Sequence, residues 1–235
     1  MFDFQDQVVI VTGSTGNLGR AVVRAFRVAG AHVVAPDRSV GQAKELFPDL
    51  WDSKDHLVVE GVDVTNPEQV EKLVQDILGR FGRIDILINT VGGYRADGPA
   101  HQTSFETWNF LMNLNARSVF TTSRAVIPCM LKQGRGKIVN VSSRSALAAQ
   151  GNDSAYSAAK SAVARLTESM AAEYKKLGIQ VNAIIPSALV SAADLKEDPT
   201  RGVTPESVAQ VILALCSEAC AIINGALIPA YGLRF

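Results

Sequence analysis

Ser143, Tyr156 and Lys160 have the side chains and spacing that proton transfer needs. Tyr156 and Lys160 close the run Tyr156-Ser157-Ala158-Ala159-Lys160, inside an alanine-rich stretch over about 153–176 that reads as a helix. Four positions on a helix make about one turn, so the phenol and the ammonium share a face. A free phenol loses its proton at about pH 10, and a neighbouring positive charge favours the phenolate, drawing the group towards a useful acid–base range. Such a pair also occurs on solvated helix faces, so its weight comes from its companions. Ser143 directly follows the β-branched run 137–141, and Asn115 falls within a predicted helix over 105–130.

A second set of residues suits phosphate binding. The run 8–11 reads as a strand and leads into Thr12-Gly13-Ser14-Thr15-Gly16-Asn17-Leu18-Gly19, followed by a predicted helix over about 17–29. Glycine permits positive φ and close backbone approach, so amide N–H groups at the helix start can face a pyrophosphate. The spacing Gly13-x-x-Gly16-x-x-Gly19 differs from the commoner Gly-x-Gly-x-x-Gly fingerprint, and glycines alone mark any tight turn. Asp37 adds context. It ends the second apolar run, Ala35-Pro36-Asp37-Arg38, where a carboxylate can accept hydrogen bonds from both hydroxyls of an adenosine ribose. That favours NAD, because a carboxylate repels a 2′-phosphate and Thr15 brings no positive charge; NADP, met by Arg38, is the alternative.

The elements that must position these residues follow from hydrophobic periodicity. Short apolar runs at 8–11, 32–35, 57–60, 84–89, 137–141 and 179–185 read as strands. Between them, Leu18, Val22, Val23 and Phe26, and then Val70, Leu73, Val74 and Ile77, recur at helical intervals. Asn66, Pro67 and Gln69 give a helix start with capping-box-like spacing. Nearly all-apolar strands alternating with helices imply an α/β fold: a doubly wound parallel sheet of about seven strands with helices on both faces. One domain over 1–235 is expected, since no linker, repeat or low-complexity stretch divides the chain. Segment 187–203 is the least patterned and reads as a surface loop.

Composition narrows the function classes. With 47% hydrophobic and 20% charged residues, the chain is of ordinary globular type. Lys+Arg and Asp+Glu both total 23, which leaves no net field to draw nucleic acid or an anionic membrane. No apolar run reaches membrane-spanning length and the start of the chain lacks a signal-peptide pattern, so a cytoplasmic protein is expected. Cys129, Cys216 and Cys220 have no metal-ligand pattern and are expected as free thiols, with no metal site.

Taken together, Thr12-Gly13-x-x-x-Gly-x-Gly19, Asp63-Val64, Asn89-x-x-Gly92, Asn115, Ser143, Tyr156-x-x-x-Lys160 and Val181-Asn182-Ala183 resemble the short-chain dehydrogenase/reductase family over nearly the whole chain. The resemblance implies a Rossmann-type sheet and a nicotinamide cofactor. It makes Tyr156 the acid in carbonyl reduction and the base in alcohol oxidation. Lys160 would lower the phenol pKa and hold the nicotinamide ribose. Ser143 would hydrogen-bond the substrate oxygen, and Asn115 would maintain a helix distortion and a water linked to Lys160. For the cofactor, the implied contacts are Gly13, Thr15, Asn17, Leu18 and Gly19 at the phosphates, Asp37 at the ribose, Asp63 and Val64 at the adenine, and Asn89 on the adenosine side. Pro186, Leu189 and Ser191 fall where the family holds the carboxamide.

The implied activity is interconversion of a secondary alcohol and a ketone, or reduction of a related C=O or C=N bond, on a small molecule. A homotetramer or dimer is expected, joined through the helices of Asn115 and Tyr156. The alternative is a non-catalytic dinucleotide-binding regulator or scaffold, suggested by Thr90-Val91 and Ser187 at positions where the family has other residues, and by a short lid. Tyr94, Arg95 and His101 read as solvated loop residues rather than substrate contacts. Arg144 and Gln150 lie between Ser143 and Tyr156, where an anionic substrate group could be met.

Overall fold

In the computed structural model, which describes residues 2–95 and 98–233, the apolar runs pair into one all-parallel seven-stranded sheet. Its first half contains β1 (Val8–Thr12), α1 (Asn17–Val28), β2 (His32–Asp37), the short helices α2 (Gln42–Leu46) and α3 (Pro48–Trp51), β3 (Leu57–Glu60), α4 (Pro67–Phe81) and β4 (Ile86–Asn89). Then come α5 (Phe105–Leu111), a π-helical turn at Met112–Arg117, α6 (Ser118–Gln133), β5 (Gly136–Val141), α7 (Ser154–Tyr174), β6 (Ile179–Pro186), α8 (Ala192–Glu197), α9 (Pro205–Cys216) and β7 (Leu227–Ala230). The strand order is β3-β2-β1-β4-β5-β6-β7. The winding direction reverses between β1 and β4, and at such a point a crevice opens beyond the carboxyl ends of the strands.

Alternation along each strand fills both faces. Val9 and Val11 join Val22, Phe26, Ile212 and Leu215 on one side; Val8 and Ile10 join Val70, Ile77, Met130 and Val181 on the other. Each fully buried aliphatic or aromatic side chain contributes about 1.5–3 kcal/mol, so two clusters of this size hold the helices to the sheet. Cys129 and Cys216 are buried in these clusters, and all three cysteines are free. Among the described residues no helix is long and apolar enough to cross a membrane.

Three local expectations change. Asn66 caps α4 through the N–H groups of Glu68 and Gln69, but the Gln69 amide oxygen accepts from the Asp63 N–H at 2.7 Å instead of closing a capping box. The Asn66 N–H is taken by the Asp63 carbonyl, which leaves Gln69 nothing to accept there. The strand expected over 84–89 begins at Ile86, because the Ile84 N–H turns to the Gln133 side chain. Segment 187–203 is not a plain loop. It holds α8, whose start is a full capping box between Ser191 and Asp194, and a parallel bridge from Leu189 to Val203.

Candidate active site

The carboxyl ends of β1, β4, β5 and β6 line a groove of two adjoining cavities that share Thr90 and Gly92. The first, about 380 Å³, lies over β1 and β2. Its floor is the glycine turn. Gly13 sits at φ +63°, a region that disfavours side chains, and a Cβ on Gly19 would stand 2.0 Å from the Gly13 carbonyl oxygen. Only glycine lets α1 start this close beneath the strand. No side chain caps α1, so its first N–H groups remain available to an anion.

Asp37, only 6% exposed, faces this cavity from the end of β2. One oxygen accepts from the Thr15 hydroxyl at 2.6 Å, the other from the Ser39 N–H at 2.8 Å. Thr15 thus orients the carboxylate and lines the cavity beside it. Arg38, Asp63 and Val64 complete that wall. Asp63 is fixed by the Thr65 hydroxyl and N–H at 2.7 and 2.8 Å. Asn89, expected to support the adenosine side of the cofactor, lines neither cavity with its side chain. Its amide donates to Asn140 at 2.9 Å and accepts from Thr122 at 2.8 Å, tying β4, β5 and α6 together beneath Thr90. Both faces of a central strand are buried, so apolar alternation could not tell which way Asn89 points.

The second cavity, about 420 Å³, receives Ser143, Tyr156 and Lys160. β5 delivers Ser143 just past its last residue, and α7 carries the other two one turn apart. The Ser143 hydroxyl accepts from the Ser145 N–H at 3.3 Å and acts on the Tyr156 phenol beside it. Lys160 is 4% exposed; its Nζ donates to the Val141 carbonyl at 3.1 Å and lies 5.9 Å from the Tyr156 ring centroid. Burial lowers its pKa from 10.5 to about 8. The Tyr156 phenol moves upward instead of down. Burial is the largest cause, the Ser143 hydroxyl opposes it, and Asp153 and Tyr94 add to the rise. The chain's own groups therefore keep this phenol protonated at neutral pH, the form that donates a proton.

Asn115 lies in the π-helical turn, which matches the helix distortion implied for it. Its amide grips Gly93 from both sides, donating to the carbonyl at 3.1 Å and accepting from the N–H at 3.2 Å, and donates to the Leu111 carbonyl at 2.9 Å. A Cβ at Gly92 would come within 2.8 Å of Asn115 Oδ1 and 2.9 Å of Lys160 Nζ. The missing side chain at Gly92, where the two cavities adjoin, thus leaves room for the Asn115 amide and the Lys160 ammonium. The remaining expected contacts divide. Leu18, Pro186 and Leu189 line the second cavity, whereas Asn17 and Ser191 lie in a neighbouring surface recess, with Ser191 committed to Asp194 at 2.6 Å.

The unusual residues fit the frame. The Thr90 hydroxyl donates to the Thr12 carbonyl at 2.6 Å, and Ser187 donates to the Tyr231 carbonyl at 3.2 Å. Neither fills the groove. Tyr94 is an exposed loop residue, as expected, and it also lines the second cavity and meets Tyr156 edge to face, with centroids 5.0 Å apart at 88°. Asp153 is a residue the sequence reading did not single out. Asp153 sits behind Ser143: one oxygen accepts from Ser145 at 2.9 Å and Ser157 at 3.3 Å, while Oδ1 is buried without a hydrogen-bond partner. A Tyr in a loop and an Asp before a helix carry no signal of such placement. Arg95 packs on the Phe110 ring at 4.3 Å, and His101 is exposed and lines neither cavity.

Comparison with known proteins agrees with this geometry. The short chain dehydrogenase family matches residues 7–201. The 2-(R)-hydroxypropyl-CoM dehydrogenase of Xanthobacter autotrophicus is 32% identical, over 94% of this chain and 95% of its own. The meso-2,3-butanediol dehydrogenase of Serratia marcescens is 31% identical, over 97% and 94%. Among solved structures, a short chain dehydrogenase from Bacillus anthracis superposes with a TM-score of 0.88 at 32% identity, covering 97% of this chain and 95% of that one. A glycine-floored crevice, a Tyr and Lys on one helix turn, and likeness along almost the whole length have one account: the chain belongs to the short-chain dehydrogenase/reductase family and is an NAD(P)-dependent oxidoreductase.

Proposed function

We propose that the protein interconverts a secondary alcohol and a ketone, with NAD(H) as its cofactor. The convergence of Ser143, Tyr156 and Lys160 on one cavity continuous with the glycine turn carries this reading. When bound, the nicotinamide supplies or takes the hydride, and the protein contributes binding, orientation and proton transfer. The residues present fit a dinucleotide: uncapped N–H groups of α1 for the pyrophosphate, Asp37 for the adenosine ribose, Asp63 and Val64 beside the adenine, and Lys160 for the second ribose. The two halves adjoin at Thr90 and Gly92, and a Cβ at Gly92 would crowd the Asn115 amide and the Lys160 ammonium.

In ketone reduction, Ser143 donates a hydrogen bond to the substrate oxygen and Tyr156 donates both a bond and the proton. The raised phenol pKa suits this direction, since the acid form is the one populated before reaction. Alcohol oxidation runs the same proton backwards. Lys160, held by the Val141 carbonyl, keeps its remaining donors for the ribose and for proton return. Asp37 supports NAD over NADP, because its two oxygens already accept from Thr15 and Ser39 and a 2′-phosphate beside them would face a fixed negative charge. The residues that motivated a scaffold reading, Thr90 and Ser187, leave the catalytic groups in place.

Exposed Phe105 and Phe120, 87% and 51% accessible, support a homo-oligomer formed through α5 and α6, and sedimentation at the monomer mass would refute it. The activity is tested by mixing protein and NADH with a panel of ketones, aldehydes and quinones and following NADH absorbance. Turnover of a ketone is expected. NADH binding with no turnover of any class would overturn the proposal in favour of a regulator.

A further inference from the structure

Among the described residues, Arg144 is a charged member of the second cavity wall that no other charged group of the chain pairs with. It follows Ser143 directly and lines the same cavity. Among the described residues its guanidinium donates no hydrogen bond and meets no carboxylate within ion-pair distance. The guanidinium lies over the Tyr231 ring, with its carbon 5.8 Å from the centroid. The backbone beneath that ring is tied to β6, because Ser187 donates to the Tyr231 carbonyl through its hydroxyl and to the Ala230 carbonyl through its N–H, at 3.2 and 3.1 Å. Arg144 therefore rests on an aromatic face carried by a braced strand end.

The cavity around it carries charge of one sign. Among the described residues Arg144 and Lys160 are its cations, and no carboxylate lines it. Lys160 is occupied by the Val141 carbonyl at the inner end. Asp153, behind the wall, turns one oxygen to the hydroxyls of Ser145 and Ser157. A half-buried guanidinium with its donors free on a cavity wall is available to an anion, and its planar fork matches a carboxylate. Gln150 lines the same cavity and offers a neutral amide donor beside it.

We propose that Arg144 selects the substrate: the ketone or alcohol carries a carboxylate that pairs with this guanidinium while its carbonyl meets Ser143 and Tyr156. This rests on the oxidoreductase reading above and names the substrate class for it, oxo acids and their hydroxy acid counterparts.

The test uses methyl-ketone acids whose carboxylate stands one to four bonds from the carbonyl carbon (pyruvate, 3-oxobutanoate, 4-oxopentanoate and 5-oxohexanoate), each against its methyl ester, with NADH. For at least one length, kcat/KM for the acid should exceed that for the ester by about tenfold or more, mainly through KM. In Arg144→Gln the acid-to-ester ratio should collapse towards one, and Arg144→Lys should restore part of it. The backbone of residue 144 only accepts from Leu147 and Ala148, so neither variant removes a fold contact beyond the Tyr231 ring; thermal melting checks this. Esters matching acids at every length, or an unchanged ratio in Arg144→Gln, would overturn the proposal. So would weaker NADH binding in Arg144→Gln with an unchanged ratio, which would assign the residue to the cofactor phosphates. If neither acids nor esters turn over, quenching of bound NADH fluorescence by hexanoate against hexanamide decides. Arg144-dependent preference for the acid then sustains the carboxylate site and counts against the redox reading, and no preference overturns the site.

Discussion

The two ends of the sheet treat buried charge in opposite ways. At the amino end Asp85, 5% exposed, is fully engaged: it accepts two bonds from Arg83, at 2.8 and 2.5 Å, and one from the Val8 N–H at 2.9 Å, with Arg135 at 3.7 Å. At the carboxyl end, among the described residues, Lys160 is as deeply buried yet has only a carbonyl, Asp153 leaves one oxygen unpaired, and half-buried Arg144 lies on a ring without a counter-charge. Unpaired buried charge costs free energy, and a fold retains it where a ligand or a reaction completes it. The amino end is built to hold β1 to β4; the carboxyl end is built to be finished by something else.

If that contrast is right, substitutions at the two ends should move stability in opposite directions. Asp85→Ala removes the partner of the Val8 N–H and of Arg83, and should cost about 2–3 kcal/mol in denaturant unfolding with little change in NADH affinity. Lys160→Met should do the reverse, raising stability at pH 7 by about 2 kcal/mol while abolishing most turnover. The sign follows from the depressed pKa. The folded protein binds this proton more weakly than the unfolded chain, whose value is 10.5, so the cost is fully present below about pH 8 and fades as pH rises towards 10.5. The gain from Lys160→Met should therefore shrink between pH 8 and 10.5, and a constant gain would contradict it. Smallest is Asp37→Ala, which should weaken NADH binding by about tenfold and narrow the gap to NADPH, read by titrating each nucleotide. A wild-type protein already preferring NADPH would reverse the assignment of Asp37.

Much of the carboxyl end is legible in the sequence because its residues obey local rules. Gly13 and Gly19 mark a turn that admits nothing larger, Asp37 ends a strand, and Tyr156 and Lys160 share a helix face. What is not legible depends on packing between elements distant in the chain. Tyr94 reaches Tyr156 across 62 positions, Arg144 reaches Tyr231 across 87, and Asn89 turns inward because Asn140 and Thr122 await it there. The helix in 187–203 had a local signal, Ser191-x-x-Asp194, that was too short to outweigh the small and charged residues around it. The phenol pKa also escaped, since spacing reveals the neighbouring lysine but not the burial that outweighs it.

The central claim is that the chain's own groups separate binding from chemistry, with the glycine turn and Asp37 holding the nucleotide and Tyr156 moving the proton. The most direct test measures both on one preparation of Tyr156→Phe: NADH affinity by titration, and reduction of whichever ketone the wild type accepts. Turnover should fall by about 10²–10⁴-fold while the NADH Kd stays within about fivefold. Turnover surviving in the variant, or affinity and turnover lost together, would contradict the account.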